Sequence, residues 1–159
     1  MNKTIQSLTS CRQTAKRISE LVNKFAGDLN LIRVKWQNKN RSLASLDLMQ
    51  FYDFVKSMPF KPDEKPIEVI ARPYFLASKY FNGRDCKKAT ILMASYLKLK
   101  KIPFQLVGSS NRPTQEIHHI FTRGFIGGKF RDIDATYPEN RIFVKKHNTN
   151  EVVFYDSRQ

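Results

Sequence analysis

The chain has 159 residues, 41% of them apolar and 26% charged, and its 28 Lys and Arg against 14 Asp and Glu give a formal net charge of +14 and a pI near 10.0. Those values fit one globular domain with a real core, and no apolar run approaches the ~20 residues that a membrane helix needs. The positive balance favours polyanionic partners, a cell-wall polymer or nucleic acid, but the cations are spread along the chain rather than gathered in one arm, which argues against a dedicated nucleic-acid module.

The N-terminus, Met1 to Ser10, lacks the apolar stretch of a signal peptide. The expected location is therefore the cytoplasm, or a virion if the gene is phage-borne. Two cysteines, Cys11 and Cys86, are too few for a disulfide scaffold. No Cys/His cluster has zinc spacing, and Gly83, Gly124, Gly127 and Gly128 do not form a phosphate loop. Neither a metal nor a cofactor is expected.

In chain order, Ile18, Leu21, Val22 and Phe25 recur at helical spacing and predict an amphipathic helix ending near Gly27. Cys11 lies in that segment without an acid or histidine nearby and is read as incidental. Leu29 to Trp36 alternates weakly, and Lys35 to Arg41 reads as a polar loop, with Trp36 a packing residue. Ser42 to Met58 reads as a helix, with Leu43, Leu46, Gln50, Phe54 and Met58 down one side. Three prolines between Pro59 and Pro66 predict an extended connector. A short helix around Pro73 to Lys79 and a turn at Phe81-Asn82-Gly83 follow.

Asp85 is a good N-cap, which opens a helix at Cys86 running to about Lys101, before Pro103. Cys86 then sits where the first-turn N–H dipoles point. That position is expected to stabilise a thiolate and lower the thiol pKa. Beyond Pro103 the period changes to two. Phe104 to Val107, Glu116 to Ile126 and Lys129 to Thr136 read as strands, with Gly127-Gly128 as a hairpin turn. Ile142 to Lys145 and Val152 to Tyr155 read as two more. Helices first and strands later predict an α+β fold with an antiparallel sheet.

The hairpin gives a geometric test. If Ile126 pairs with Lys129, paired numbers sum to 255, and His119 and Asp134 become diagonal neighbours on one face, about 7 Å apart or less. His118 points to the other face. A one-residue slip would exchange the two histidines, and Asp132 is the alternative acid on the same face.

Three motifs now stand in order: Gly83-Arg84-Asp85-Cys86 opening an apolar helix, His119-Ile120-Phe121, and Asp132-Ile133-Asp134-Ala135-Thr136. Together, over about residues 40–140, they resemble the transglutaminase-like superfamily of papain-fold cysteine enzymes, and in particular its small bacterial and phage members. The chain departs from the family pattern at Arg84, where glycine is usual, and at Lys87-Lys88, where two acids are usual. The resemblance implies a single domain over 1–159. Residues 1–40 would be an N-terminal helical extension, and 41–159 a papain-like core with the nucleophile helix packed on an antiparallel sheet. It also implies a catalytic triad of Cys86, His119 and Asp134 acting by acyl transfer on a peptide or protein substrate. Hydrolysis, with cell-wall peptide as a candidate substrate, is the first expectation, and protein crosslinking is a variant of the same chemistry. The contrasting expectation is a non-catalytic basic protein, such as a phage virion component, that keeps the fold.

Overall fold

The computed structural model describes residues 4–6, 11–61, 68–77, 83–110, 112–113, 116–145 and 149–159. Most of the Pro59–Pro66 connector and the Phe81-Asn82 part of the expected turn lie outside the described residues. The architecture is α+β, with helices in the first two thirds and an antiparallel sheet built mainly from the last third.

Strand β1 (Thr4–Gln6) pairs with β4 (Glu68–Ile70). Helix α1 (Cys11–Phe25) buries Ile18, Leu21 and Val22, as the spacing predicts. It runs into a 3-10 turn, Ala26–Asn30, whose Asp28 accepts from the Arg72 guanidinium and from Tyr74 N, tying this turn to α3 (Pro73–Ala77). The expected polar loop at 35–41 is instead a hairpin, β2 (Arg33–Trp36) with β3 (Lys39–Ser42). Gln37 and Asn38 make its two-residue turn at φ 51° and 62°, a conformation asparagine tolerates well. The N-terminal 40 residues are thus not purely helical. Trp36 packs edge-on against Phe54, their ring centroids 6.2 Å apart.

Helix α2 (Leu48–Ser57) starts later than the apolar pattern suggests. Leu46 is extended at ψ 145°, and the helix is opened by a capping box in which Asp47 and Gln50 exchange side-chain-to-backbone bonds. Helix α4 (Cys86–Leu99) is the central element. Every residue from Lys87 to Leu97 is buried, so it has no solvent face and behaves as a core helix. It lies between the sheet and the other helices: α1, α2 and α3 pack against it, as do β5 (Phe104–Ser110) and β6 (His119–Ile126).

The main sheet has the order β7-β6-β5-β8, where β7 is Lys129–Ile133 and β8 is Thr149–Asp156. The β6–β7 register runs from Ile126↔Lys129 to Thr122↔Ile133, every pair summing to 255, with Gly127 and Gly128 at φ 65° and 84° in the turn. β5 extends through Ser110, further than the alternation indicated. Gly108 permits this, since a Cβ there would lie 2.3 Å from the Phe154 ring. β7 ends at Ile133, before Asp134. The expected strand over Ile142–Lys145 is not a strand: Arg141 and Val144 make an isolated bridge, and Phe143 between them has φ 65°.

Candidate active site

His119 opens β6 opposite Ser109 of β5 and is 1% exposed. Asp134, one residue past β7, is 3% exposed. Their side chains meet directly, Nε2 to Oδ2 at 2.6 Å. The hairpin made them diagonal neighbours, and the release of the chain after Ile133 closes the remaining distance. The other Asp134 oxygen, Oδ1, accepts from Thr136 N at 3.0 Å, and the Lys145 ammonium lies 3.2 Å from Oδ2. Burial pushes this carboxyl up. The hydrogen bond and charge of His119, the Lys145 charge and the Thr136 N–H outweigh burial and hold it at about 2. An ionised carboxylate only accepts, so Nε2 carries the proton and Nδ1 is the acceptor nitrogen of the neutral ring. Nδ1 is buried and has no hydrogen-bond partner among the described residues.

Cys86 is the first residue of α4, and Asp85 caps the helix by accepting from Lys88 N at 2.9 Å. Thr90 Oγ1 donates to Cys86 O at 2.6 Å and reaches Ile120 O at 3.1 Å, which pins the helix start to the strand at the residue after His119. The thiol is not activated in this state. Cys86 is half-buried as a residue, but the protein packed around it pushes the thiol up to about 12. Lys87 and the Ile120 backbone oppose that rise without overcoming it, and Asp85 and Asp134 add to it. The expectation of a lowered thiol pKa is therefore reversed: burial exceeds the helix-terminus effect. No hydrogen bond joins Cys86 to His119, whose Nε2 belongs to Asp134 and whose Nδ1 is unpartnered.

The segment after Asp134 is fixed from behind by three side chains that sequence reasoning missed. Tyr52 Oη donates to Asp134 O at 3.1 Å. The Arg84 guanidinium, 4% exposed as a residue, donates to Ala135 O (2.8 Å), Thr136 O (3.1 Å), Lys56 O (3.0 Å) and Met58 O. The Lys56 ammonium donates to Tyr137 O (2.7 Å), Pro138 O (3.0 Å) and Asn140 O (3.0 Å). Six carbonyls between 134 and 140 are thus held by two cations and a phenol. Arg84 was visible in the sequence as a departure from the family glycine, and Tyr52 and Lys56 stand four apart on one face of α2.

Tyr137 completes the cluster. Its ring lies 4.9 Å from that of His119, and burial, followed by the charge of Cys86, pushes its phenol up to about 12. His118 takes no part: it is exposed, with Nδ1 3.0 Å from Glu116 O. Asp132 pairs with Arg123 at 2.6 Å instead of with His119. Cys11 Sγ donates to Ile117 O at 3.2 Å and so ties α1 to the approach to β6. Lys87 lies 3.5 Å from the Asp85 carboxylate.

Among the described residues no group of three or more His, Cys, Asp and Glu is arranged to hold a metal. No described helix is long and apolar enough to cross a membrane. A cavity of about 470 Å³ backs the site, lined by Tyr52, Lys56, Pro138 and Asn140 among others. No family model, curated protein or solved structure matches the chain.

Proposed function

We propose that the chain is a transglutaminase-like cysteine hydrolase, a peptidase or amidase with a papain-like core. The observation that carries this reading is the buried 2.6 Å bond from His119 Nε2 to Asp134, which leaves Nδ1 without a partner among the described residues, on the residue before the Ile120 carbonyl that Thr90 of the Cys86 helix bonds. A buried imidazole with one nitrogen held and the other unpartnered is the arrangement a general base needs.

Because the resting thiol is protonated, the nucleophile forms during attack. The Cys86 sulfur bonds to the carbonyl carbon of a carboxamide or peptide bond while its proton moves to His119 Nδ1. The Asp134 carboxylate then faces the imidazolium at Nε2. The Cys86 backbone N–H, at the helix N-terminus, is one donor for the oxyanion. Collapse of the tetrahedral intermediate breaks the C–N bond, and the amine leaves with the proton from Nδ1. Water then attacks the thioester through the same nitrogen, releasing the acid and restoring the thiol. An incoming amine in place of water would make the reaction a crosslinking transamidation.

The second reading is a non-catalytic basic protein that retains this core. It is favoured by the high thiol pKa and by the missing Cys86–His119 hydrogen bond. Incubation with a carboxamide peptide library, followed by mass spectrometry of intact protein and peptides, separates the two. The enzyme reading expects a Cys86 thioester adduct or released amine, abolished by Cys86→Ala. Neither signal over pH 5–9, in folded protein, rejects it.

A further inference from the structure

Lys145 brings a buried ammonium to the site that the acyl-transfer scheme does not use. Its side chain is 1% exposed, its ammonium lies 3.2 Å from Asp134 Oδ2, and it sits 4.8 Å over the Phe121 ring. The contact is a charge contact rather than an aligned hydrogen bond. It falls on the same oxygen that His119 Nε2 approaches at 2.6 Å.

The consequence follows from charge alone. A buried carboxylate beside a neutral imidazole would be an uncompensated charge, and burying one is costly. That cost would ordinarily favour protonating the histidine. A resident ammonium compensates part of the carboxylate charge, which weakens that preference. The Phe121 face adds a favourable cation–π contact that helps retain the ammonium inside. The same ring stacks on His119, centroids 5.9 Å apart, so Lys145 and His119 share both a carboxylate and an aromatic neighbour.

We propose that Lys145 is a positioning residue of this site. Its buried ammonium compensates the Asp134 carboxylate that orients His119, and thereby weakens the hold of that carboxylate on an imidazolium. This deepens the cysteine-hydrolase reading and rests on it for its catalytic meaning. Other charged or titratable groups surround the pair. Asp85 and Lys87 come from the start of α4, and Tyr137 and Glu139 from the segment after Asp134. Tyr52, Asp53 and Lys56 come from α2, with Arg84 beside them. Asp134 Oδ2 itself is met by His119 Nε2 and by the Lys145 ammonium.

Removal of the ammonium acts on the two partners unequally. The imidazolium would form against the uncompensated carboxylate, whereas the charges that act on the thiol are those of Lys87, Asp85 and Asp134, so the ion pair gains overall. The test is the rate of Cys86 alkylation by iodoacetamide from pH 5 to 10, in the full chain with Cys11→Ser as background. Lys145→Met is expected to move the rate profile down the pH axis by about one unit, about tenfold faster labelling at pH 6. Lys145→Arg is expected to restore the parent profile. Mere loosening of the site would raise the rate at every pH without moving the profile.

A folded Lys145→Met with an unmoved profile, or Lys145→Arg behaving like Lys145→Met, overturns the proposal. If Lys145→Met does not fold, nitrogen-15 NMR of the unsubstituted protein decides. A slowly exchanging Lys145 ammonium signal with contacts to the Phe121 ring supports the proposal, and an ammonium exchanging like the surface lysines overturns it. A moved profile without any turnover of carboxamide peptides would leave Lys145 in this role and reject the enzyme reading instead.

Discussion

Asp134→Asn tests the site through stability as well as chemistry. The carboxylate accepts on both oxygens, from His119 Nε2 and Thr136 N, with Lys145 against Oδ2. An asparagine supplies one acceptor and one donor. Whichever way the amide turns, its NH₂ faces a donor: the Nε2–H and the ammonium on one side, or the Thr136 N–H on the other. Lys145 also loses its counter-charge in the interior. Removing one partner of a buried pair costs about 3–5 kcal/mol, which is the destabilisation expected at pH 7.

The pH dependence supplies the refutable part. Asp134 is held at about 2 against an ordinary 3.8. A depressed carboxyl stabilises the fold fully above the ordinary value, and that stability is lost as pH falls through about 2. The window therefore runs from about pH 5 down to 2, and the shift amounts to roughly 2–3 kcal/mol. Other carboxylates titrate alike in both proteins and cancel in the difference. Urea unfolding at half-unit pH steps should show the gap between parent and variant narrowing by that amount between pH 5 and pH 2. A gap that stays constant to pH 2 would refute the reasoning, because Asp134 would then not be held ionised by its neighbours.

Arg84→Met should be the most destabilising single change outside the three candidate catalytic residues, since it strands four carbonyls. At about 1–3 kcal/mol for each buried unsatisfied group, with partial relief, about 4 kcal/mol is expected in urea unfolding. Lys56→Met removes donors to Tyr137, Pro138 and Asn140, of which the lysine is less completely buried. It should cost about 2 kcal/mol and increase hydrogen exchange in residues 137–140 while leaving α2 protected. Asp85→Ala deletes the cap on Lys88 N and should cost about 1 kcal/mol in thermal unfolding.

What the sequence made legible was whatever depended on neighbours along the chain. The β6–β7 register followed from Gly127-Gly128, because a two-residue turn at positive φ fixes every pair after it. The bounds of α4 followed from Asp85 and Pro103. The choice of His119 over His118, and of Asp134 over Asp132 as its partner, followed from that register, and the two side chains meet at 2.6 Å. What stayed hidden was tertiary. The capture of carbonyls 134–140 depends on α2 lying behind them, and nothing local to Lys56 or Arg84 announces it. The thiol was misjudged for the same reason. A helix N-terminus is visible in four residues, but the burial that overrides it comes from tertiary packing. The Gln37-Asn38 hairpin was hidden because β3 is polar on both sides and β2 offers only Val34 and Trp36 as alternating apolar positions.

The placement of the cations also changes how the net charge of +14 bears on function. Lys56, Arg84 and Lys145 direct their charge at carbonyls or at the Asp134 carboxylate, and Arg123 is paired with both Asp132 and Glu151. The long-range field is a property of the whole molecule and is undiminished by this, so a polyanion should still be attracted at low salt. Contacts are another matter, because each phosphate neutralised needs an exposed cation, and the salt dependence of binding counts those contacts. Cations committed to the site cannot serve there. Binding of single-stranded or duplex DNA should therefore weaken with salt at a slope that Lys145→Met leaves unchanged. A slope that falls in that variant would mean that the interior pair opens on binding, and that the charge is organised for nucleic acid rather than for the site.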